Sequence, residues 1–185
     1  MKRFLSNHSA SNVRPLTSEV VQKYVGKVPE SLVQLWQTSG IGKYNNGLVE
    51  LINPEEWNDT LWTWLGREVE NYVPIALSAF GELFYYRKLT PDDEDVCLLD
   101  PHYRQITTCI WSLEGFFNDY LIESEVIQEI SKNNLFQEAF QAKGSLKNGE
   151  IYYFVPALAL GGSESLECID KGDAKVHLDL LFQLG

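Results

Sequence analysis

No stretch of this chain approaches the roughly 18 consecutive apolar residues that a membrane-spanning helix requires. Its opening, Met1 to Pro15, lacks the apolar core of about 7 to 15 residues found in a secretory leader. The expected location is the cytosol. Cysteine is scarce: Cys97, Cys109 and Cys168 are odd in number and show no Cys-x-x-Cys spacing, which excludes a disulfide framework and predicts free, buried thiols. Histidine is equally scarce. His8, His102 and His177 have no His-x-x-x-His spacing, so no zinc site is expected, and no cofactor is called for. A nucleophile elbow of the form Gly-x-Ser-x-Gly is missing; Gly161-Gly162-Ser163-Glu164-Ser165 is only a partial echo. The chain is not expected to be an enzyme.

What is present is a hydrophobic fraction of 44% with 12% aromatics in 185 residues, ample for a packed core. Net charge is −11, and it is lopsided: residues 1 to 91 hold nine acids and nine bases, residues 92 to 185 hold 17 acids and six bases. A field of that sign repels nucleic acids and acidic membranes and speeds the approach of a basic partner. Neither nucleic acid nor membrane is an expected partner. The run Asp92 to Asp95 lacks the spacing of a calcium loop and reads as a solvated loop.

Residues 1 to 15 read as a loose arm. Thr17 caps a short helix to about Val25, and Pro29 opens another that ends at Ser39 and Gly40. Gly40-Ile41-Gly42-Lys43 lacks the first glycine and the hydroxyl of a phosphate loop and reads as a structural corner, with Asn45-Asn46-Gly47 turning into a strand at Leu48 to Ile52. Asn53-Pro54-Glu55-Glu56 is a helix start with a reciprocal cap, and Glu55-Glu56 suits the positive end of that helix without a catalytic role. From Val73 to Trp111 four β-rich runs predict an antiparallel meander. Ser112 caps a helix, Ser124 another with Val126, Ile127 and Ile130, and a third runs from about Asn134 to Lys143. A hairpin-like turn at Asn148-Gly149, strands at Glu150 to Pro156 and Leu166 to Asp170, and a helix capped by Asp173 close the chain. This order predicts an α+β fold: N-terminal helices on a mainly antiparallel sheet, then a more helical second half, with an arm (1–15) and regions 16–111 and 112–185 packed together.

Trp36, Trp57, Trp64 and Trp111 fall on apolar faces and are expected in the core, whereas Trp62 lies off its helix's stripe and is a candidate partner anchor. His177, with Leu181 and Leu184, is read as the edge of the last helix's apolar face. Pro156 to Gly162, PALALGG, is read as a buried strand or turn whose glycines permit close packing.

The segments PESLVQLWQTSGIGKYNNGLVELINPEEW, VPIALSAFGELFYY, VCLLDPHYRQITTCI and GEIYYFVPALALGGSESLECIDKGDAKVHLDLLFQL together resemble GAD-like proteins. In those proteins the second half is a type VI secretion immunity domain of the Tdi class. The resemblance runs from about residue 16 to the end, and its first segment is similar to the wider SMI/KNR-type immunity group. It implies a cytosolic inhibitor of a cognate toxic effector, in the Tdi class a DNase, acting by occlusion of a basic functional surface. Acidic residues of the second half, Asp119, Glu123, Glu125, Glu164 and Glu167, are expected to form part of the contact face, and Trp62 is a separate candidate anchor. The alternatives are a different protein-binding module, since GAD-like folds also resemble a domain of aminoacyl-tRNA enzymes, and a small-molecule sensor. An apolar pocket near Tyr152, Tyr153 and Phe154 favours the sensor; an exposed acidic face favours the inhibitor.

Overall fold

In the computed structural model, which describes residues 1–129 and 132–184, the β-rich runs extend an antiparallel meander that begins earlier than the four predicted strands. Its strands are β1 (Ala10–Arg14), β2 (Ile41–Tyr44), β3 (Val49–Leu51), β4 (Tyr72–Ser78), β5 (Leu83–Lys88), β6 (Glu94–Asp100) and β7 (Gln105–Ile110), and they lie side by side in chain order. A further pair, β8 (Glu150–Phe154) and β9 (Ile169–Asp173), forms a small antiparallel sheet of its own. The helices are α1 (Lys2–Asn7), α2 (Ser18–Tyr24), α3 (Glu30–Thr38), α4 (Pro54–Leu65), α5 (Leu113–Asn118), α6 (Ser124–Glu129), α7 (Asn133–Lys143) and α8 (Ala174–Gln183). The fold is α+β, with a helical C-terminal part.

An antiparallel sheet commonly leaves one face in water, which gives strict alternation of apolar and polar residues. Here both faces are covered. Phe84, Tyr86, Val96 and Leu98 pack with Phe4, Val21, Trp36, Phe116 and Phe117 from α1, α2, α3 and α5. Their neighbours Leu83, Tyr85, Cys97 and Leu99 point the other way, against Trp57 and Leu61 of α4, Ile151 of β8 and Leu178 of α8. That is why ELFYYRKL and DVCLLD read as nearly continuous apolar runs. Beyond the end of the sheet, Phe80 joins Phe136 of α7 with Tyr152 and Phe154 of β8 in a third cluster. Burying one such aromatic contributes about 1.5–3 kcal/mol, so the C-terminal half is held by the same hydrophobic interior as the sheet.

The helix caps form as their spacing predicts. Thr17, Asn53, Ser112 and Asp173 each accept a first-turn N–H, and the Asn53 amide returns a hydrogen bond to Glu56 at 3.0 Å. Glu55 accepts from Lys23 at 2.5 Å and from the Tyr24 hydroxyl at 2.6 Å, so these acids stitch α2 to α4.

Several expectations are corrected. Most of residues 1 to 15, read as a loose arm, is α1 and β1: Phe4 is fully buried against Tyr44 and Phe117, an anchor too short in sequence to show periodicity. Trp111 is not core; it follows the edge strand β7, where no further strand covers it, and is 69% exposed. Trp64 and Trp62 are both half-buried. All three cysteines are free, but only Cys97 is buried. The Asn148-Gly149 turn joins no hairpin, because β8 pairs with β9. The strand expected at Leu166 begins at Ile169, after a 3-10 turn at Leu166–Cys168. In α8 the buried positions are Ala174 and Leu178 rather than Leu181 and Leu184, since the helix docks through β8 and α4. PALALGG is a turn with a tight approach at Gly162, but Leu160 in it is exposed. α6 forms as expected with Val126 half-buried, whereas the Ile127 side chain and Ile130 lie outside the described residues.

The glycine-rich corner after α3 has a steric explanation. Gly40 and Gly42 have φ of +86° and +135°, and a Cβ on either would fall 2.6 Å from the Arg14 carbonyl oxygen or 2.5 Å from that of Asn12. The corner is where β1 lies against the chain backbone. Gly42→Ala is expected to destabilise the protein by roughly 1–3 kcal/mol, read as a lowered denaturation midpoint. An unchanged midpoint contradicts the steric account.

Candidate functional site

Two buried ion pairs fasten the C-terminal half to the sheet. Lys43 and Glu50 face each other across β2 and β3, with Nζ 2.6 Å from Oε2 and side chains 2% and 7% exposed. Lys43 also donates to the Glu150 carbonyl at 2.9 Å, and Glu50 accepts the Gly149 N–H at 3.0 and 3.1 Å. Both atoms therefore reach the start of β8. Burial pushes the Lys43 ammonium pKa down, against the pull of Glu50.

The second pair sits at the Ser78 to Glu82 turn between β4 and β5. Glu82, fully buried, accepts from the Ser78 hydroxyl and from Lys132 at 2.8 Å, and Lys132 reaches Glu164 at 3.6 Å. Burial acts to raise the Glu82 pKa, but Lys132, His102 and Ser78 outweigh it and hold the carboxyl below its ordinary value. The ammonium of Lys132 is correspondingly raised by Glu82 and Glu164 despite its own burial. Such pairs cost desolvation and lock geometry rather than perform chemistry. His8 and His102 each direct Nε2 at a backbone carbonyl, of Leu121 at 3.0 Å and Phe80 at 2.8 Å. Among the described residues no group of three or more His, Cys, Asp or Glu converges as a metal site.

The predicted contact residues fall in three places. Asp119 ends α5, and Glu123 and Glu125 follow it across the 3-10 turn Tyr120–Ile122 into α6; all three are exposed. Asp119 is paired with Arg3 at 2.5 Å on the surface. Glu164 and Glu167 lie in the segment between β8 and β9, where Glu164 accepts from the Tyr103 hydroxyl at 3.3 Å. At Glu167 the nearby backbone N–H and the Ser165 hydroxyl lower the carboxyl pKa, so it stays charged. Trp62 is elsewhere, on α4 against the second face of the sheet, with its indole N–H donating to the Val69 carbonyl at 3.2 Å. The structure does not bring Trp62 to the acidic run.

An apolar groove of about 450 Å³ lies between β8 and α8, where the sensor alternative places its pocket; it is lined by His102, Tyr153, Phe154, Val155, Leu180 and Leu184 among others. His177 is stacked on Tyr153 in its wall, with centroids 3.4 Å apart, and burial lowers its pKa. Tyr152, expected near such a pocket, instead points into the core and donates to the Gly144 carbonyl. The wall supplied by α8 was not anticipated; its signal was the excess of apolar residues in that helix, Leu180 and Leu184 on a second face beside the buried Leu178.

Residues 1–94, which contribute α1 to α4 and β1 to β5, match the GAD-like domain, and β6 and β7 complete the sheet beyond that match. The chain belongs to the GAD-like family. Residues 112–185, which contribute α5 to α8 with β8 and β9, match the family described as T6SS immunity protein Tdi1, C-terminal. In this GAD-like protein the Lys132–Glu82 pair thus joins one side of the chain to the other, and the Lys43–Glu50 pair, inside the first matched region, reaches the second through its hydrogen bonds to Gly149 and Glu150. The C-terminal match supports an immunity protein of type VI secretion. A crystal structure of Atu4351 from Agrobacterium tumefaciens has the same fold, with a TM-score of 0.78 at 19% identity, covering 100% of this chain and 89% of that one. No curated protein matches the chain. No helix among the described residues is long and apolar enough to cross a membrane.

Proposed function

We propose that this GAD-like protein is a cytoplasmic immunity protein that binds a cognate type VI effector, a DNase, and blocks the basic surface with which it grips DNA. The observation that carries the reading is the match of residues 112–185 to the Tdi1 immunity family. The charge distribution supports it. From Gln105 to Ser131 the sequence has five carboxylates and no Lys or Arg, and Asp119, Glu123 and Glu125 within it are exposed. A nuclease must present cations where DNA binds, so an acidic surface competes for that site and speeds encounter. Inhibition by occlusion requires no catalytic group in the inhibitor, and neither a metal nor a cofactor enters the proposal. The organisation we propose is a GAD-like unit to Trp111 and an immunity unit from Ser112, packed together by the shared core and the two ion pairs.

A second reading, small-molecule sensing, draws support from the groove beside Tyr153 and Phe154. The experiment that separates the two adds the purified protein to the toxin encoded beside its gene and follows DNA cleavage. Inhibition supports the immunity reading. Intact cleavage without complex formation returns weight to the groove.

A further inference from the structure

The two edges of the seven-stranded sheet are treated differently. Exposed backbone N–H and C=O groups on an edge strand are a template for pairing, and proteins blunt them with charge, proline, bulges or cover. β1 is blunted: it carries Arg14, its register with β2 shifts between Ser11 and Arg14, Asn12 has φ +54°, and the Asn148 side chain bonds the Asn12 carbonyl at 2.9 Å. β7 has none of these along its first four residues. From Gln105 to Trp111 the sequence QITTCIW contains no Lys, Arg, Pro or Gly. Four of those residues are Ile, Thr, Thr and Ile, types that favour a pleated strand. The only irregularity in its pairing with β6 lies at its far end, between Thr108 and Ile110.

β6, one strand inward, is buried on both faces, whereas Gln105, Ile106, Thr107 and Thr108 are all exposed, Ile106 at 48%. Trp111 stands exposed at the end of the same edge. The cations nearby are engaged elsewhere: Arg87 is bound to Asp95 at 2.7 and 2.5 Å and only grazes Thr108 at 3.5 Å, and Arg104 donates to the Leu181 and Phe182 carbonyls. α5, which packs on β6 and β7, presents exposed Glu114 and ends at exposed Asp119. The open edge is therefore uncharged itself and bordered by carboxylates, of which Asp119 is held in an exposed pair with Arg3.

We propose that β7 accepts an eighth strand, an extended cationic segment of the effector, with backbone hydrogen bonds along Gln105 to Thr108, an apolar contact on Trp111 and basic side chains reaching Glu114 and Asp119. A second copy of this chain is the poorer occupant, because each copy brings a net charge of −11 to the same edge. Strand addition gives affinity through the main chain and specificity through side chains, which suits an inhibitor that must recognise one toxin. This inference rests on the immunity reading.

The test is hydrogen exchange on the full chain, alone and with the toxin encoded beside its gene, together with the variants Ile106→Lys and Thr107→Lys. Two edge-guard positions on opposite faces are used so that a folding defect in one does not decide the matter. Expected are slowed exchange of β7 amides in the complex and binding weakened about tenfold or more by each variant, with unchanged circular dichroism. A complex in which β7 exchanges as in the free protein, and which both variants form normally, overturns the proposal and leaves the immunity reading standing. Protection of β7 in the free protein that rises with its own concentration overturns it in favour of a second copy. If no complex forms at all, the immunity reading falls and the eighth strand with it.

Discussion

Replacing Lys132 with methionine is expected to destabilise the protein by about 3–5 kcal/mol, because it leaves the carboxylate of Glu82 buried without its cation. Glu82 is 1% exposed and Lys132 12%, so solvent screens their interaction little. The sign of the pH dependence follows from the direction of the shift. Glu82 is held below the ordinary value of 4.5, so its ionised form is favoured by the fold. Its contribution is fully present above that value and is lost as pH falls through the lower, folded-state value. In Lys132→Met the carboxylate has lost its main support, so the deficit is expected to be largest near neutral pH and to shrink as acid protonates Glu82. Combining it with Glu82→Gln removes the orphaned charge and is expected to recover part of the loss. Denaturant titrations of the wild type, the single variant and the double variant at neutral and mildly acidic pH measure this. Equal, small effects that do not depend on pH contradict the account.

Reversing charge at Asp119, Glu123 and Glu125 together is expected to slow association with the effector by roughly 10- to 100-fold and to flatten its salt dependence. All three are exposed, and the Asp119 contact with Arg3 lies between side chains more than half in solvent, a kind of pair that adds little to stability. The variant therefore keeps its fold, which the thermal midpoint verifies. Stopped-flow association at low and physiological salt reads the effect. An unchanged association rate with unchanged salt dependence places the contact surface elsewhere, and Glu164 and Glu167 are the next residues to reverse.

Much of the architecture was legible because it is written locally. Asn53, Ser112 and Asp173 cap helices through side chains two or three residues away from their partners, and the strands of the meander are bounded by Gly81, the acidic turn and Pro101-His102. The errors came where a residue's environment is supplied from far along the chain. Phe4 finds its pocket on α5 and β2, so nothing near it in sequence marked α1 as structural. Trp111 looked like core because its neighbours are apolar, yet whether a strand end is covered depends on its place in the sheet order. The pairing of Lys132 with Glu82 spans 50 residues, and that of the Gly149 N–H with Glu50 spans 99. No periodicity signals such contacts. Among the proposed contact residues, the acidic run from Asp119 to Glu125 was visible in composition, and the resemblance named the family; the open edge at β7 required the topology.

The immunity reading is decided by titrating the proposed effector, a candidate DNase from a neighbouring gene, with the purified protein and following DNA cleavage. The account predicts that cleavage falls to zero at one equivalent, with a stable complex at the same point and inhibition slowed by high salt. Full cleavage at a large excess of the protein, with no complex, contradicts it.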